Sequence, residues 1–323
     1  MNREPLLEVR DLSVSFHSRD AVVHAVNRVN FVLHPGEVLG VVGESGSGKT
    51  VTMMALLGLL PSPPARISAE AVRFDGQKLL SLPPDRLRAI RGHRIGFIFQ
   101  DPMTSLNPVL TVGYQIMEPM RHHLGLTRVQ ARDRAVELLD LVGIPDAARR
   151  LNDWPHRFSG GMRQRVMIAL ALACDPQVLV ADEPTTALDV TIQAQILELV
   201  RSLREKVGMA IIWITHDLGV IAGLADRVMV MYAGQIVEQA GVGTLFEAAS
   251  HPYTRALLGS VPDAGGVRRD RLMAITGQAA VLYRPPEACP FHSRCDEAVA
   301  RCREEVPKRH SCGEEHDVAC FRR

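Results

Sequence analysis

Near its N-terminus the chain reads Glu37-Val38-Leu39-Gly40-Val41-Val42-Gly43-Glu44-Ser45-Gly46-Ser47-Gly48-Lys49-Thr50. The first part of this stretch is nearly all apolar, which predicts a short strand covered on both faces of a sheet. The second part fits the pattern G-x-x-x-x-G-K-[ST] at every fixed position. The apolar residues that follow, up to Leu60, predict a helix that Pro61 stops. We call residues 43–50 the phosphate loop, because this pattern between a buried strand and a helix is typical of nucleotide-phosphate binding.

Each residue type in the phosphate loop suits a nucleotide. Glycines let the backbone curl so that successive N–H groups point at phosphate oxygens. The N-terminus of the following helix adds partial positive charge. We expect Lys49 to reach the β- and γ-phosphates and the Thr50 hydroxyl to ligate Mg²⁺. A glycine-rich turn that matches by chance is the alternative, and the strand and helix around the loop argue against it.

A second motif follows another short apolar segment. Val178 to Ala181 predict a buried strand, and Asp182 and Glu183 come directly after it. Ligands of α/β sheets lie at the carboxyl ends of the strands, so both carboxylates are expected to face the nucleotide. Asp182 can then hold the metal, and Glu183 can orient and deprotonate the attacking water. A helix cap or a solvated acidic pair is the alternative for an isolated Asp-Glu.

A third motif, Phe158-Ser159-Gly160-Gly161-Met162, opens a predicted helix. The N-terminus of a helix is a second place to bind an anion. The chain would then hold two phosphate-binding devices but only one phosphate-loop lysine. A head-to-tail dimer explains this economically, with each ATP lying between the phosphate loop of one subunit and the Ser-Gly-Gly helix of the other. A simple helix start is the alternative reading.

The order of predicted elements indicates an α/β fold. Leu7 to Phe16 and Ala25 to Leu33 alternate apolar and polar residues, which predicts antiparallel strands. Residues from about 101 to 175 are predicted to be helical, and strands and helices alternate again from Val178. Alternation of this kind predicts a mostly parallel sheet with helices on both faces. The later predicted elements are helix Val190 to Lys206, strand Met209 to Thr215, helix Leu218 to Leu224 and strand Arg227 to Met231.

Composition narrows the class of protein. The chain has 323 residues, 46% of them apolar, and a formal net charge of +1. That balance argues against a nucleic-acid-binding protein, which usually has a strong basic excess. The longest apolar run, Val166 to Cys174, falls far short of the roughly 20 residues of a membrane-spanning helix. The sequence therefore predicts a cytoplasmic chain that reaches a membrane only through partners.

Taken together, the motifs resemble the ABC ATPase family, and the resemblance covers about residues 5–240. It implies a P-loop ABC fold with a mixed sheet core, an antiparallel β subdomain and an inserted helical subdomain. It also implies a magnesium site at Thr50, Gln100 and Asp182, with catalysis by Glu183, Gln100 and the switch histidine His216. The implied ATP-contacting residues are Phe16, against adenine, with Gly43, Glu44, Ser45, Gly46, Ser47, Gly48, Lys49, Thr50, Val51, Gln100 and Asp182. The implied contacts to a partner's nucleotide are Ser159, Gly160, Gly161 and Gln164, with Asp189 at the dimer interface.

Finer features resemble the ATPase subunits of dipeptide, oligopeptide and nickel importers. These are Gln100-Asp101-Pro102-Met103-Thr104-Ser105-Leu106-Asn107-Pro108 and His251-Pro252-Tyr253-Thr254. The family signature is Leu-Ser-Gly-Gly-Gln, and Met162 replaces its glutamine here. This variant resembles one of two paralogous ATPases that pair as a heterodimer. The resemblance further implies two membrane permeases, docked through a groove at about residues 101–122, and an external solute-binding protein, at the cytoplasmic face of the inner membrane.

Five of the six cysteines lie after residue 288. A local cluster in a cytoplasmic chain predicts a metal site rather than disulfides. The spacing C-x5-C-x6-C-x17-C resembles importer C-terminal regions that hold a 4Fe–4S cluster, and tetrahedral zinc is the alternative. Free cysteines in a loose tail are a further alternative, and Cys312 breaks the pattern. The implied ligands, which we call the cysteine cluster, are Cys289, Cys295, Cys302 and Cys320.

These features predict a nucleotide-binding domain over residues 1–240 and a cysteine-containing C-terminal region over residues 241–323. The expected function is ATP hydrolysis that drives solute uptake through membrane partners. The alternative is a soluble ABC ATPase acting on a macromolecular complex, although such proteins more often carry two cassettes or a long coiled coil. A binding module without hydrolysis would be expected to lack Glu183 or His216, and both are present.

Overall fold

The computed structural model describes residues 4–185, 190–260 and 275–323. The strands are β1 (Leu7–His17), β2 (Val22–Leu33), β3 (Val38–Val42), β4 (Ala65–Ser68), β5 (Ala71–Phe74), β6 (Gln77–Lys78), β7 (Ile95–Ile98), β8 (Val178–Asp182), β9 (Ala210–Ile214), β10 (Arg227–Tyr232), β11 (Gln235–Gly241), β12 (His310–Gly313) and β13 (His316–Val318). The α-helices are α1 (Lys49–Leu56), α2 (Pro84–Ile90), α3 (Pro102–Ser105), α4 (Val112–His123), α5 (Arg128–Leu141), α6 (Ala147–Arg150), α7 (Gly160–Ala171), α8 (Val190–Val207), α9 (Leu218–Leu224), α10 (Val242–Ala248) and α11 (Pro252–Gly259). The chain divides into two compact units, residues 1–81 with 214–323, and residues 82–213.

The first unit contains an antiparallel sheet and a mixed sheet. The antiparallel sheet has the order β2-β1-β5-β6, and β4 also pairs with β1. Its inward positions are apolar and buried, for example Leu7, Val9 and Leu12. In the mixed sheet, β3 runs parallel to β10, while β11 and β13 continue antiparallel beyond β10. The predicted antiparallel subdomain and mixed sheet are therefore confirmed.

The second unit is a helical region around parallel strands. β7 pairs in parallel with β8, with Ile95 opposite Val178. Between these two strands every regular element that the structure describes is helical, from α3 to α7 with a short 3₁₀ turn, as the sequence predicts. Local capping explains where α5 begins. Thr127 accepts a bond from the N–H of Gln130 and completes a capping box at the start of α5.

The predicted end of the helix after the phosphate loop is wrong. The apolar residues after the phosphate loop predict a helix to Leu60, but α1 ends at Leu56. Gly58 has a left-handed φ of 58°, and the N–H of Leu59 turns back to the carbonyl of Met54 at 2.9 Å. A glycine in this conformation just after a helix ends it by satisfying its last carbonyls.

The C-terminal residues are built onto the mixed sheet of the first unit. β13 pairs with β11, with Val318 opposite Glu238. The Glu238 carboxylate, fully buried, accepts bonds from the N–H groups of Ser250 (2.6 Å) and His251 (3.0 Å) and contacts His316 Nε2 at 2.7 Å. Buried carboxylates need such partners, so these bonds anchor the segment before the cysteine cluster and the strand β13 that precedes its last member, Cys320. The predicted division of the chain into a nucleotide-binding domain (residues 1–240) and a C-terminal region (residues 241–323) stays a prediction.

In the described residues, no helix combines the length and apolar character that crossing a membrane requires.

Candidate functional site

The phosphate loop has a backbone that only glycine accommodates at its first position. Gly43 has a φ of 152°, and a side chain there would collide with the backbone oxygen of Met231 in β10. Gly48 has a φ of 96°, and its Cβ would lie 2.5 Å from the backbone oxygen of Ala25. Backbone atoms of β10 and β2 therefore lie close to this loop on two sides. Its curled path follows from β3, which is buried along its whole length and delivers the chain to this point.

Lys49 is the first residue of α1, and its ammonium folds over the loop. Nζ donates to the carbonyls of Gly43 (2.8 Å) and Glu44 (3.0 Å). Only 6% of the residue is exposed. Backbone carbonyls thus hold a buried cation beside the N–H groups at the start of the helix. This arrangement suits a polyphosphate, which needs positive charge and N–H donors together.

Two residues of the C-terminal half hold Glu44, the second residue of the loop. The Glu44 N–H donates to the hydroxyl of Tyr253 at 2.8 Å. The Arg294 guanidinium donates both terminal nitrogens to the Glu44 carboxylate, at 2.7 and 2.9 Å. Pairing with Glu44 raises the pKa of Arg294 above its usual range, since the carboxylate favours the charged form. Neither contact was predicted from the sequence, and an acidic residue in a loop that binds phosphates was the available signal.

Two further predicted residues lie in the same unit as the phosphate loop. The Thr215 N–H donates to the carbonyl of Val41 at 3.2 Å, so exposed His216 follows a segment paired to the strand that carries the loop. Asp217 then caps α9 by accepting from the Gly219 N–H at 2.8 Å. Phe16 is half-buried near the end of β1, opposite Val23 in β2.

In the second unit, two predicted catalytic residues meet. Gln100 comes two residues after β7, and Glu183 directly follows the parallel strand β8. The Gln100 Nε2 donates to a carboxylate oxygen of Glu183 at 3.1 Å. Glu183 has a left-handed φ of 46°, uncommon for a residue other than glycine and often found at functional sites. Asp182, at the end of β8, is only 1% exposed.

The Ser-Gly-Gly motif forms a capped helix N-terminus. The Ser159 hydroxyl accepts from the Met162 N–H at 3.3 Å, and Gly160 begins α7. Ser159 and Gly160 are exposed, and Gly161 is half-exposed. Gln164 differs, because its side chain lies inside the unit and the residue is only 2% exposed. The predicted contact of Gln164 with a partner's nucleotide stays a prediction.

The structure brings the cysteine cluster together. Its members all line one small cavity, with three of them buried and Cys295 half-buried. Burial raises the pKa of the Cys289 thiol to about 11, and the neighbouring cysteines add to the shift. Cys312 lies elsewhere, exposed and 3.8 Å from the Ser250 hydroxyl. In the described ranges no three His, Cys, Asp or Glu side chains are arranged to hold a metal ion. Asp189, the residue predicted at the dimer interface, lies outside those ranges.

Two features define the class of protein as a P-loop ATPase. One is the phosphate loop after a buried strand, and the other is a Gln–Glu pair after two parallel strands. Comparisons with known proteins agree. Residues 26–186 match the model of the family described as ABC transporter. Residues 237–302 match the family described as the C-terminal region of oligopeptide/dipeptide transporters.

Relatives and solved structures extend these matches. The chain is 52% identical to a probable peptide ABC transporter ATP-binding protein of Sinorhizobium fredii, over 98% of this chain and 95% of that one. It is 50% identical to the oligopeptide transport ATP-binding protein OppD of Bacillus subtilis, over 97% and 87%. Its fold matches the dimeric ATP-binding cassette MJ0796 bound to ADP and Pi, with a TM-score of 0.67, 28% identity and coverage of 73% and 98%. The chain therefore belongs to the family of ABC transporter ATP-binding proteins, and ATP hydrolysis is its activity.

Proposed function

We propose that this chain powers the import of dipeptides or oligopeptides through membrane permeases. The match of residues 237–302 to the oligopeptide/dipeptide transporter region carries this proposal, because that region lies outside the ATP-binding cassette. The names of the relatives from Sinorhizobium fredii and Bacillus subtilis support it. Nickel or a related small solute is the alternative cargo.

The residues of each unit suggest how ATP is hydrolysed. The phosphate loop and Lys49 bind the phosphates, with N–H donors and a cation placed in advance of the substrate. Thr50, Asp182 and Gln100 would hold Mg²⁺, a hard cation that prefers oxygen ligands. Glu183, oriented by Gln100, accepts a proton from the attacking water, and His216 contacts the γ-phosphate. The reaction is phosphoryl transfer to water, in which positioning and charge stabilisation do most of the work.

The exposed Ser159 and Gly160 supply a second anion-binding surface. We infer that it serves the ATP of a partner subunit, and that the partner is a related but different ATPase. Met162 stands where the family signature has glutamine, and this departure supports a heterodimer of two different ATPase chains. Two permeases, contacted near residues 101–122, and an external solute-binding protein complete the transporter, which places this chain at the cytoplasmic face of the inner membrane.

Co-purification tests this assignment. The tagged chain, extracted with mild detergent from its own cells, is expected to carry a second ATPase and two permeases, identified by mass spectrometry. Deletion of the gene is expected to stop uptake of a radiolabelled dipeptide, and the intact gene to restore it. Recovery with ribosomes or DNA would support the soluble alternative, while normal peptide uptake after deletion would remove peptides as cargo.

We infer that the cysteine cluster holds a metal group. Four sulfur donors around one cavity fit the ligand set of either a 4Fe–4S cluster or zinc. When bound, such a group would tie the C-terminal segments together by metal–thiolate bonds. The cavity is about 10 Å³, roughly the space that one water molecule needs. A 4Fe–4S cluster therefore requires the cysteines to move apart, whereas one zinc ion requires less movement.

Cys302→Ser is expected to lose the bound metal, because Cys302 is buried in the cavity wall. Elemental analysis of the protein purified without oxygen measures iron and zinc per chain, and an absorption band near about 400 nm accompanies an iron–sulfur cluster. Cys312→Ser is the matched control, because Cys312 lies outside the cavity wall and should keep the metal. Equal metal content in both variants would contradict the proposed ligand set.

A further inference from the structure

An arginine next to the cysteine cluster reaches into the phosphate loop. Arg294 lies beside Cys295 in sequence, yet it pairs with Glu44, 250 positions away. The pair is bidentate, and the Arg294 side chain is only 5% exposed while that of Glu44 is 27% exposed. A fork of two parallel bonds fixes direction as well as distance. The guanidinium therefore holds the second residue of the loop in one orientation.

Arg294 is itself held on several sides. Its Nε donates to the carbonyl of Thr276 at 2.8 Å, and Nη2 lies 3.3 Å from the carbonyl of Gly277. Its guanidinium carbon lies 5.8 Å from the centre of the Tyr232 ring, within range of a cation–π contact. A short 3₁₀ turn sets its backbone, with the Arg294 N–H donating to the carbonyl of Phe291 at 3.0 Å. These contacts leave the guanidinium little freedom to turn away from Glu44.

The Arg294 guanidinium compensates the negative charge of the Glu44 carboxylate. The loop is built to bind a polyphosphate, and a carboxylate on its second residue would repel that anion. Lys49 supplies one positive charge to the loop, and its bonds to the carbonyls of Gly43 and Glu44 do not neutralise the Glu44 carboxylate. Arg294 cancels that charge in a partly buried place, where solvent screens it weakly.

We propose that Arg294 is a positioning residue of the ATP site, which neutralises the Glu44 carboxylate so that the phosphate loop can accept ATP. The C-terminal cysteine region is thereby part of the nucleotide site of the same chain. This inference rests on ATP binding by the phosphate loop, and it adds a residue from outside the ATP-binding cassette. Arg294 acts through Glu44 and does not touch the nucleotide.

The test compares Arg294→Gln, Glu44→Gln and the double variant in the full chain. A fluorescent ATP analogue measures the dissociation constant without hydrolysis. Arg294→Gln is expected to weaken binding at least about tenfold, because the unpaired Glu44 carboxylate then repels the phosphates. Glu44→Gln is expected to bind the analogue more tightly than the wild type, because the positive charge of Arg294 is then no longer cancelled by the carboxylate. The double variant is expected to recover most of the affinity lost in Arg294→Gln.

The direction of the change in ATP affinity distinguishes an effect of the Glu44 charge from an effect of the loop's shape. A purely structural contact would weaken binding in both single variants and would not recover in the double variant. Arg301→Gln is the matched control, because Arg301 lies in the same region and pairs with exposed Glu305 at 3.1 Å; its affinity should match the wild type. Should Arg294→Gln fail to fold, Glu44→Gln decides alone, and tenfold weaker binding there overturns the proposal.

Two other results would also overturn it. One is an Arg294→Gln variant that binds as tightly as the wild type, and the other is a double variant no better than Arg294→Gln. A wild-type chain that does not bind the analogue would instead count against the ATP site itself, so the two failures are distinguishable.

Discussion

Replacing Glu183 by Gln is expected to lower the rate of ATP hydrolysis by a hundredfold or more, roughly the contribution of a general base, while ATP still binds. The amide cannot accept the proton of the attacking water at neutral pH. The shape of the site should survive, because the Gln100 Nε2 donates to Glu183 and an amide oxygen can accept that bond equally well. The left-handed backbone at position 183 is as open to glutamine as to glutamate.

Two measurements separate the base from the binding site. Phosphate release under single-turnover conditions reports the chemical step, and a fluorescent ATP analogue reports affinity. Glu205→Gln is the matched control, because Glu205 is an exposed residue of α8 and its loss should change neither quantity. Full hydrolysis by the Glu183→Gln variant would place the base elsewhere.

Much of the fold is predictable because its signals are local. The covered strand β3 is a run of apolar residues, and α9 begins at the cap Asp217. Such patterns depend on neighbours in sequence, so the predicted bounds of α9 agree with the structure and those of α8 differ by one residue. The end of α1 was missed because apolar residues continue past Gly58, and the glycine ends the helix through its backbone angle alone.

The site was predictable only in part. Gln100 and Glu183 were chosen by motif order, and the parallel pairing of β7 and β8 explains why they meet. Arg294 and Glu44 could not be paired from the sequence, since nothing local connects a loop near the N-terminus with a turn 250 residues later. The burial of Gln164 was also out of reach, because neighbouring helix residues can differ in exposure by packing alone.

Gly43→Ala is expected to weaken ATP binding about a hundredfold or more, the order of loss that a misplaced binding group causes. The new methyl group would collide with the backbone oxygen of Met231 and lie 2.8 Å from the Ser47 hydroxyl. Met231 is paired with Ile236 of β11 in the mixed sheet, which resists a retreat of its oxygen. The loop must move instead, and its N–H groups then no longer converge on the phosphates.

Gly76→Ala is the control for a glycine with a positive φ and no close contact. Gly76 has a φ of 73°, and a Cβ there would meet no atom within 4 Å. It should therefore cost about 1–2 kcal/mol of folding stability, the usual penalty of a left-handed residue, and leave ATP affinity unchanged. Thermal unfolding with and without ATP measures both quantities, because the increase in Tm with a bound nucleotide grows with the logarithm of its affinity. If Gly43→Ala still gains the wild-type increase in Tm with ATP, then the close contact with Met231 is not what makes glycine necessary at the start of the phosphate loop.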